Sequence, residues 1–216
     1  MPPASDDMDS PQKIEGKPVL TPGEAQVLTQ LATKTAELRS FLTTHPTPSE
    51  TSESKQWYAF FAGMKDLLGN LNNDLSFVAT ILAKQFLSQR HGPIEFDAST
   101  KSQSAPGLDI DFESPSGRIV GEVKTVYPYN ETDFGATQRD AFLGDFEKLR
   151  KATAAYKYLF VTEPRAFDVI SKKYRGYAQG ITVVSLRDGR ELVVDQPKAT
   201  RPESGNTGAT QIVPPS

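Results

Sequence analysis

"GLDIDFESPSGRIVGEVKT", residues 107–125, is the stretch on which the fold turns. Its apolar residues alternate with Asp109, Asp111, Glu113, Glu122 and Lys124, the period of a half-buried strand, and the alternation breaks once, at Ser114-Pro115-Ser116-Gly117. Ser, Pro and Gly at the first, second and fourth positions suit a type I turn. The segment therefore predicts an antiparallel hairpin with Glu113 opposite Arg118, Asp111 opposite Val120 and Asp109 opposite Glu122. Lys124, two residues on, shares the face of Glu122. Leu108, Ile110 and Phe112 take the other, buried face, and Glu113 and Arg118 become a surface pair.

Directly opposite side chains in such a pair have Cβ atoms about 4.5–5.5 Å apart, and like charges there destabilise a sheet. Two readings follow. In one, a divalent cation turns the repulsion between Asp109 and Glu122 into a binding site. Oxygen ligands without His or Cys point to Mg²⁺ or Mn²⁺, with waters left for a substrate phosphate. Lys124 would then hold the attacking water and stabilise charge on the phosphate, and the reaction class is metal-assisted phosphodiester hydrolysis. In the other, Asp109, Glu122 and Lys124 form a salt-bridge cluster on a solvated sheet face. Glu-x-Lys by itself carries little: Glu15-Gly16-Lys17 and Glu53-Ser54-Lys55 repeat it in polar segments. Only Glu122-Val123-Lys124 lies in an apolar strand.

The chain of 216 residues suits one substantial domain. It has no cysteine, which excludes disulfides and thiolate metal sites, and its two histidines, His45 and His91, are isolated. A signal sequence and an apolar run of the ~18 residues a membrane span requires are both lacking, so a soluble cytoplasmic protein with no membrane partner is expected. Pro, Ser, Thr, Asp and Glu crowd residues 1–20 and 196–216, which read as disordered tails.

Between the tails, residues 21–69 read as a helical region and 70–195 as the main domain. Val27, Leu28, Leu31, Leu38 and Leu42 predict a helix over 22–43 after Thr21-Pro22, and "KQWYAFFAGMKDLLG" a second one. A third carries Leu71, Leu75, Val78, Leu82 and Phe86 on one stripe. Strands follow at 93–97, 107–113 and 118–126, then a helix over 136–154 with Phe142, Phe146 and Leu149 in register, and a strand at 156–162. A helix opening on Pro164 and a hairpin around Asp188-Gly189 close the domain. The order implies an α/β (α+β) fold with a mixed sheet flanked by helices.

At Asp109, Glu122 and Lys124 the chain resembles the PD-(D/E)XK nuclease superfamily, whose pattern is an acidic residue on one strand and (D/E)-x-K on the next. The element order over about 70–195 is similar too, matching the family's restriction-endonuclease-like αβββαβ core. The resemblance implies Asp109 and Glu122 as metal ligands, the carbonyl of Val123 as a further ligand, and Lys124 as the residue that positions the water. Pro106 stands three residues before Asp109 where the family often has Pro-Asp, so Asp111 remains a rival first ligand. An acidic residue from the preceding helix and a Gln or Lys from the following one often join the family's site; Asp74 and Gln138 are the candidates. Asp74 equally suits a helix cap beside Asn72 and Asn73.

Two weaker features lie nearby. Tyr127, Tyr129 and Phe134 could stack on bases or pack beneath their own loop. From Arg139 to Arg175 there are nine Lys or Arg against five Asp or Glu, and Arg139, Lys148, Arg150, Lys151, Lys172, Lys173 and Arg175 could follow a phosphate backbone or form a solvated face. The resemblance implies a Mg²⁺-dependent endodeoxyribonuclease of restriction or recombination and repair type, acting on double-stranded DNA as a homodimer through the helix over 22–43. The competing classes are a non-catalytic nucleic-acid or protein binding module on the same fold, and a nucleotide phosphohydrolase, for which the phosphate loop G-x-x-x-x-G-K-[ST] is missing.

Overall fold

The computed structural model describes residues 14, 16–100, 106–130 and 132–194. Three helices come first: α1 (Pro22–Thr44), α2 (Ser54–Leu68) and α3 (Leu71–His91). The hairpin β1 (Ile110–Ser114) and β2 (Gly117–Lys124) follows, then α4 (Ala136–Lys151), β3 (Tyr156–Val161), α5 (Pro164–Val169), β4 (Thr182–Ser185) and the short β5 (Glu191–Leu192). The five strands form one sheet in the order β1-β2-β3-β4-β5. β2, β3 and β4 run parallel, and β1 and β5 are antiparallel edges, so the sheet is mixed and the fold α+β.

The hairpin has the register its turn dictates: Ile110 pairs with Gly121, Asp111 with Val120 and Ser114 with Gly117. Gly117 adopts a φ of 116°, and a Cβ there would lie 2.8 Å from the Cβ of Ala155, so the turn admits no side chain at this position. Arg118 departs from expectation. Its guanidinium grips both oxygens of Asp111 at 2.8 Å and donates to the carbonyl of Thr153, so its hydrogen-bonded partner is the diagonal Asp111 rather than Glu113 directly opposite. The planar fork matches a carboxylate two atoms at a time, and the Thr153 carbonyl fixes its direction.

Each face of the sheet buries a separate cluster. Val120, Leu159, Val161 and Val183 pack beneath Phe142, Phe146 and Leu149 of α4 and Phe167 of α5. Ile110, Ile119, Tyr158, Phe160 and Val184 pack against Ala83, Phe86 and Leu87 of α3. Covering on both faces explains the continuous apolar run of β3. The stripe expected on α3 is therefore displaced. Phe77, Ile81, Phe86 and Leu87 are buried, whereas Leu71, Leu75 and Val78 are exposed, because α3 meets the sheet only from Leu82 onward and meets α1 through Phe77 and Ile81.

The strand expected at 93–97 does not form, so helix α3 is followed by two strands and not three before α4. Pro93 lacks an N–H, Ile94 and Phe96 pack into the α3-side cluster, and Asp97 turns the chain by accepting from Ser99 N–H and Oγ. The apolar residues of this segment find burial without a ladder. Residues 16–20, expected in the N-terminal tail, lie against α3: Gln85 donates to the Gly16 carbonyl and Leu20 packs with Phe77 and Ile81. Ile14 packs on the α3-side cluster as well, and the rest of both expected tails falls outside the described residues.

α1 is fixed by one buried carboxylate. Thr21 and Glu24 form a capping box, with Thr21 Oγ1 accepting from Glu24 N–H and Glu24 accepting from Thr21 N–H. Fully buried Glu24 also accepts from Lys84 of α3, at 2.7 and 2.9 Å, and from Ala98 N–H. The ion pair thus joins α1, α3 and the 94–100 segment. α2, in contrast, has no buried residue and packs mainly on α1.

Candidate functional site

Asp109 stands one residue before β1, where its Oδ2 accepts from Val123 N–H at 2.9 Å. This bond ties the end of the first strand to the second and brings the carboxylate against Glu122. Glu122 itself is 2% exposed, roofed by α4. Burial, then the charge of Asp109, a hydrogen bond with Asp109 and the charge of Asp145 push its carboxyl from 4.5 up to about 7, against the pull of Lys148. The protonated form donates to Asp109. The deprotonated form has two carboxylates in contact in a poorly hydrated place, an arrangement that a cation would relieve.

Lys124 lies on the same face, and its Nζ is 2.7 Å from Asp145 Oδ2. Asp145, 3% exposed, comes from α4 together with Lys148, whose Nζ donates to both Glu122 Oε1 and Asp145 Oδ1 at 3.3 Å. Burial alone would lower the pKa of Lys148, but Glu122 and Asp145 outweigh it and raise the value. The cluster is thus three carboxylates and two ammonium groups, drawn from the residue before β1, from β2 and from α4. Asp145 was missed by the sequence reading, yet a signal exists: residues 142, 145, 146 and 149 follow the i, i+3, i+4, i+7 spacing of a buried helical face, and only Asp145 among them is charged.

Other expected site residues are placed elsewhere. Asp111 is gripped by Arg118, which leaves Asp109 as the carboxylate against Glu122. Asp74 pairs with Lys34 of α1 beside an apolar groove between α1 and α3. Gln138 ties down the preceding loop: its Oε1 accepts from Tyr129 and Gly135 N–H, and its Nε2 donates to the Tyr127 carbonyl. These bonds use its amide for loop closure. Phe134 is buried, stacked on Phe142 with centroids 4.3 Å apart, so it packs under its own loop. Tyr127 and Tyr129 are exposed, Tyr127 beneath the Arg165 guanidinium. Lys173 pairs with Asp133 and Arg139 with Asp140, while Lys172 and Arg175 are exposed.

An open cleft of about 520 Å³ leads to Asp109, lined also by Glu95, Asp97, Thr100 and Asp111. Its acidic lining suits cation approach more than phosphate approach. Among the described residues no three or more His, Cys, Asp or Glu converge as a metal cage. A hydrated Mg²⁺ needs only one or two carboxylates, and Asp109 with Glu122 supplies two in contact. The residues therefore fit such an ion. Among the described residues no helix is long and apolar enough to cross a membrane. Comparison with protein-family models, curated proteins and solved structures finds no match to this chain.

Proposed function

We propose that the chain is a Mg²⁺-dependent nuclease of the PD-(D/E)XK type that hydrolyses DNA phosphodiester bonds, in restriction or in recombination and repair. The observation that carries this reading is the contact of Asp109 with buried Glu122, whose carboxyl is held near neutrality, with Lys124 on the same face. A salt-bridge cluster needs no such pair of touching acids, and burying one of them without purpose is costly.

In this reading Asp109 and Glu122 hold the ion, joined by the Val123 carbonyl, and Mn²⁺ could replace Mg²⁺. The ion would acidify a bound water and neutralise phosphate charge. Lys124 orients the water and the phosphate, and its pairing with Asp145 keeps its ammonium in position before substrate arrives. The fold is read as a restriction-endonuclease-like core with the first of its strands replaced by segment 93–97, which joins no ladder. Lys148, Lys172 and Arg175, with Tyr127 and Tyr129, are the groups proposed to meet DNA. The partner of the apolar α1–α2 surface is proposed to be a second copy. Tyr58 and Phe61 of α2 are 76% and 56% exposed and Leu42 of α1 is exposed too, while Leu71, Leu75 and Val78 of α3 line a separate groove against α1. At roughly 150–250 Å² per aromatic side chain, Tyr58 and Phe61 alone leave on the order of 200–300 Å² of aromatic surface open for a partner to cover.

The test is plasmid cleavage with and without Mg²⁺, beside Lys124→Ala and Glu122→Ala. Wild type should nick or cut only with the metal, and each variant should lose about 100-fold or more in rate. Equal cleavage by all three proteins refutes the reading. Binding of DNA without cleavage of any DNA or RNA would leave the binding-module alternative in its place.

A further inference from the structure

We propose that Lys148 is the resident counter-cation of the Asp109–Glu122 pair, displaced from Glu122 when a divalent cation binds and then, still tethered to Asp145, turned toward the substrate phosphate. This rests on the nuclease reading above and adds to it how the same site is held together and switched.

The two lysines are held differently. Lys124 Nζ forms an ion pair with Asp145 Oδ2 alone, at 2.7 Å and without hydrogen-bond geometry, while Lys148 Nζ bridges two carboxylates, donating to each at 3.3 Å. Its side chain is 53% exposed, against 3% for Glu122 and 4% for Asp145. Lys148 therefore reaches in from solvent and is the more exposed of the two ammonium groups, 53% against 23% for Lys124, so it can swing out without repacking once another cation takes its place.

Charge counting gives the direction. With Glu122 ionised, Asp109, Glu122 and Asp145 against Lys124 and Lys148 carry a net −1, which would become −2 without Lys148. An uncompensated charge among buried groups is strongly unfavourable, so Lys148 stabilises the site before metal arrives. A divalent cation on Glu122 makes a second cation on that carboxylate repulsive, and the cluster with both lysines then carries +1. One phosphodiester charge balances it. Asp145 and Lys148 lie three residues apart on one face of α4, so the tether persists when the Glu122 contact is given up.

The test is Mg²⁺ binding to the full chain without DNA, followed by calorimetry at pH 8, for wild type, Lys148→Met and Lys148→Arg. Removing a competing cation should make Lys148→Met bind Mg²⁺ about fivefold more tightly, the scale of an ion pair with one half-exposed partner, and Lys148→Arg should bind no more tightly than wild type. With saturating Mg²⁺, Lys148→Met should raise KM for plasmid DNA more than it lowers kcat. Lys148→Gln serves in place of Lys148→Met if circular dichroism shows the latter unfolded. Unchanged or weaker Mg²⁺ binding by the neutral variant, in a wild type that binds Mg²⁺ and cleaves, overturns the role of Lys148 and leaves the nuclease reading standing. A wild type that neither binds Mg²⁺ nor cleaves removes both.

Discussion

Replacing Glu122 by Gln should stabilise the metal-free protein while abolishing the proposed nuclease activity. Glu122 titrates at about 7 when folded and at 4.5 as an ordinary carboxyl, chiefly because burial and the neighbouring Asp109 disfavour its charge. Between those values the folded chain keeps a proton that the unfolded chain has released. Stability must therefore fall as pH rises from 4.5 to about 7, and this cost is flat above and absent below that window. The gap corresponds to about 3 kcal/mol, with the attraction of Lys148 already included. Glutamine does not titrate, and its amide can donate to Asp109 as the protonated acid does. Urea denaturation in EDTA at pH 5, 6, 7 and 8 would measure the difference between Glu122→Gln and wild type, in which the other titrating groups cancel. The variant should gain little at pH 5 and about 3 kcal/mol at pH 8. Mg²⁺ should then stabilise wild type at pH 8 by mass action and the variant much less. A pH-independent difference, or a wild type more stable at pH 8 without metal, would refute the account of Glu122.

Two further outcomes test other parts of the structure. Lys84→Met alone leaves Glu24 buried and uncompensated and should cost about 3–5 kcal/mol. Adding Glu24→Gln removes the buried charge but keeps one acceptor oxygen where Thr21 and Ala98 N–H use two, so it should recover only part of that, about 1–2 kcal/mol, as a double-mutant cycle by urea denaturation would show. Sedimentation equilibrium should find wild type dimeric at micromolar concentrations and Phe61→Glu monomeric with unchanged circular dichroism. A wild type that stays monomeric throughout removes the second copy from the α1–α2 surface.

The hairpin of β1 and β2 could be read from the sequence because its information is local. Ser114-Pro115-Ser116-Gly117 fixes the turn, the turn fixes the register, and the register alone predicts that Asp109 meets Glu122 with Lys124 on the same face. Helices α1 to α4 were legible for the same reason: capping residues, Gly69 and Gly92, and apolar periodicity act within a few residues. What could not be read was which apolar residues would find a partner. The Leu71-Leu75-Val78 stripe was as regular as any other, but the sheet begins beneath Leu82. Segment 93–97 looked like a strand, yet its side chains are buried by packing and its backbone joins no ladder.

The sequence by itself determined the hairpin, its register and the meeting of Asp109 with Glu122 beside Lys124, since these follow from turn geometry and the two-residue period of a strand. Only the tertiary structure decided that Asp111 belongs to Arg118, that Gln138 closes a loop, and that Asp145 and Lys148 complete the charge cluster. α4 is separated from β2 by the loop that carries Tyr127 and Tyr129, and nothing local to either element specifies which turn of the helix lies over Glu122. That choice is made by the packing of Phe142, Phe146 and Leu149 on Val120 and Leu159, which delivers Asp145 to Lys124 and Lys148 to Glu122.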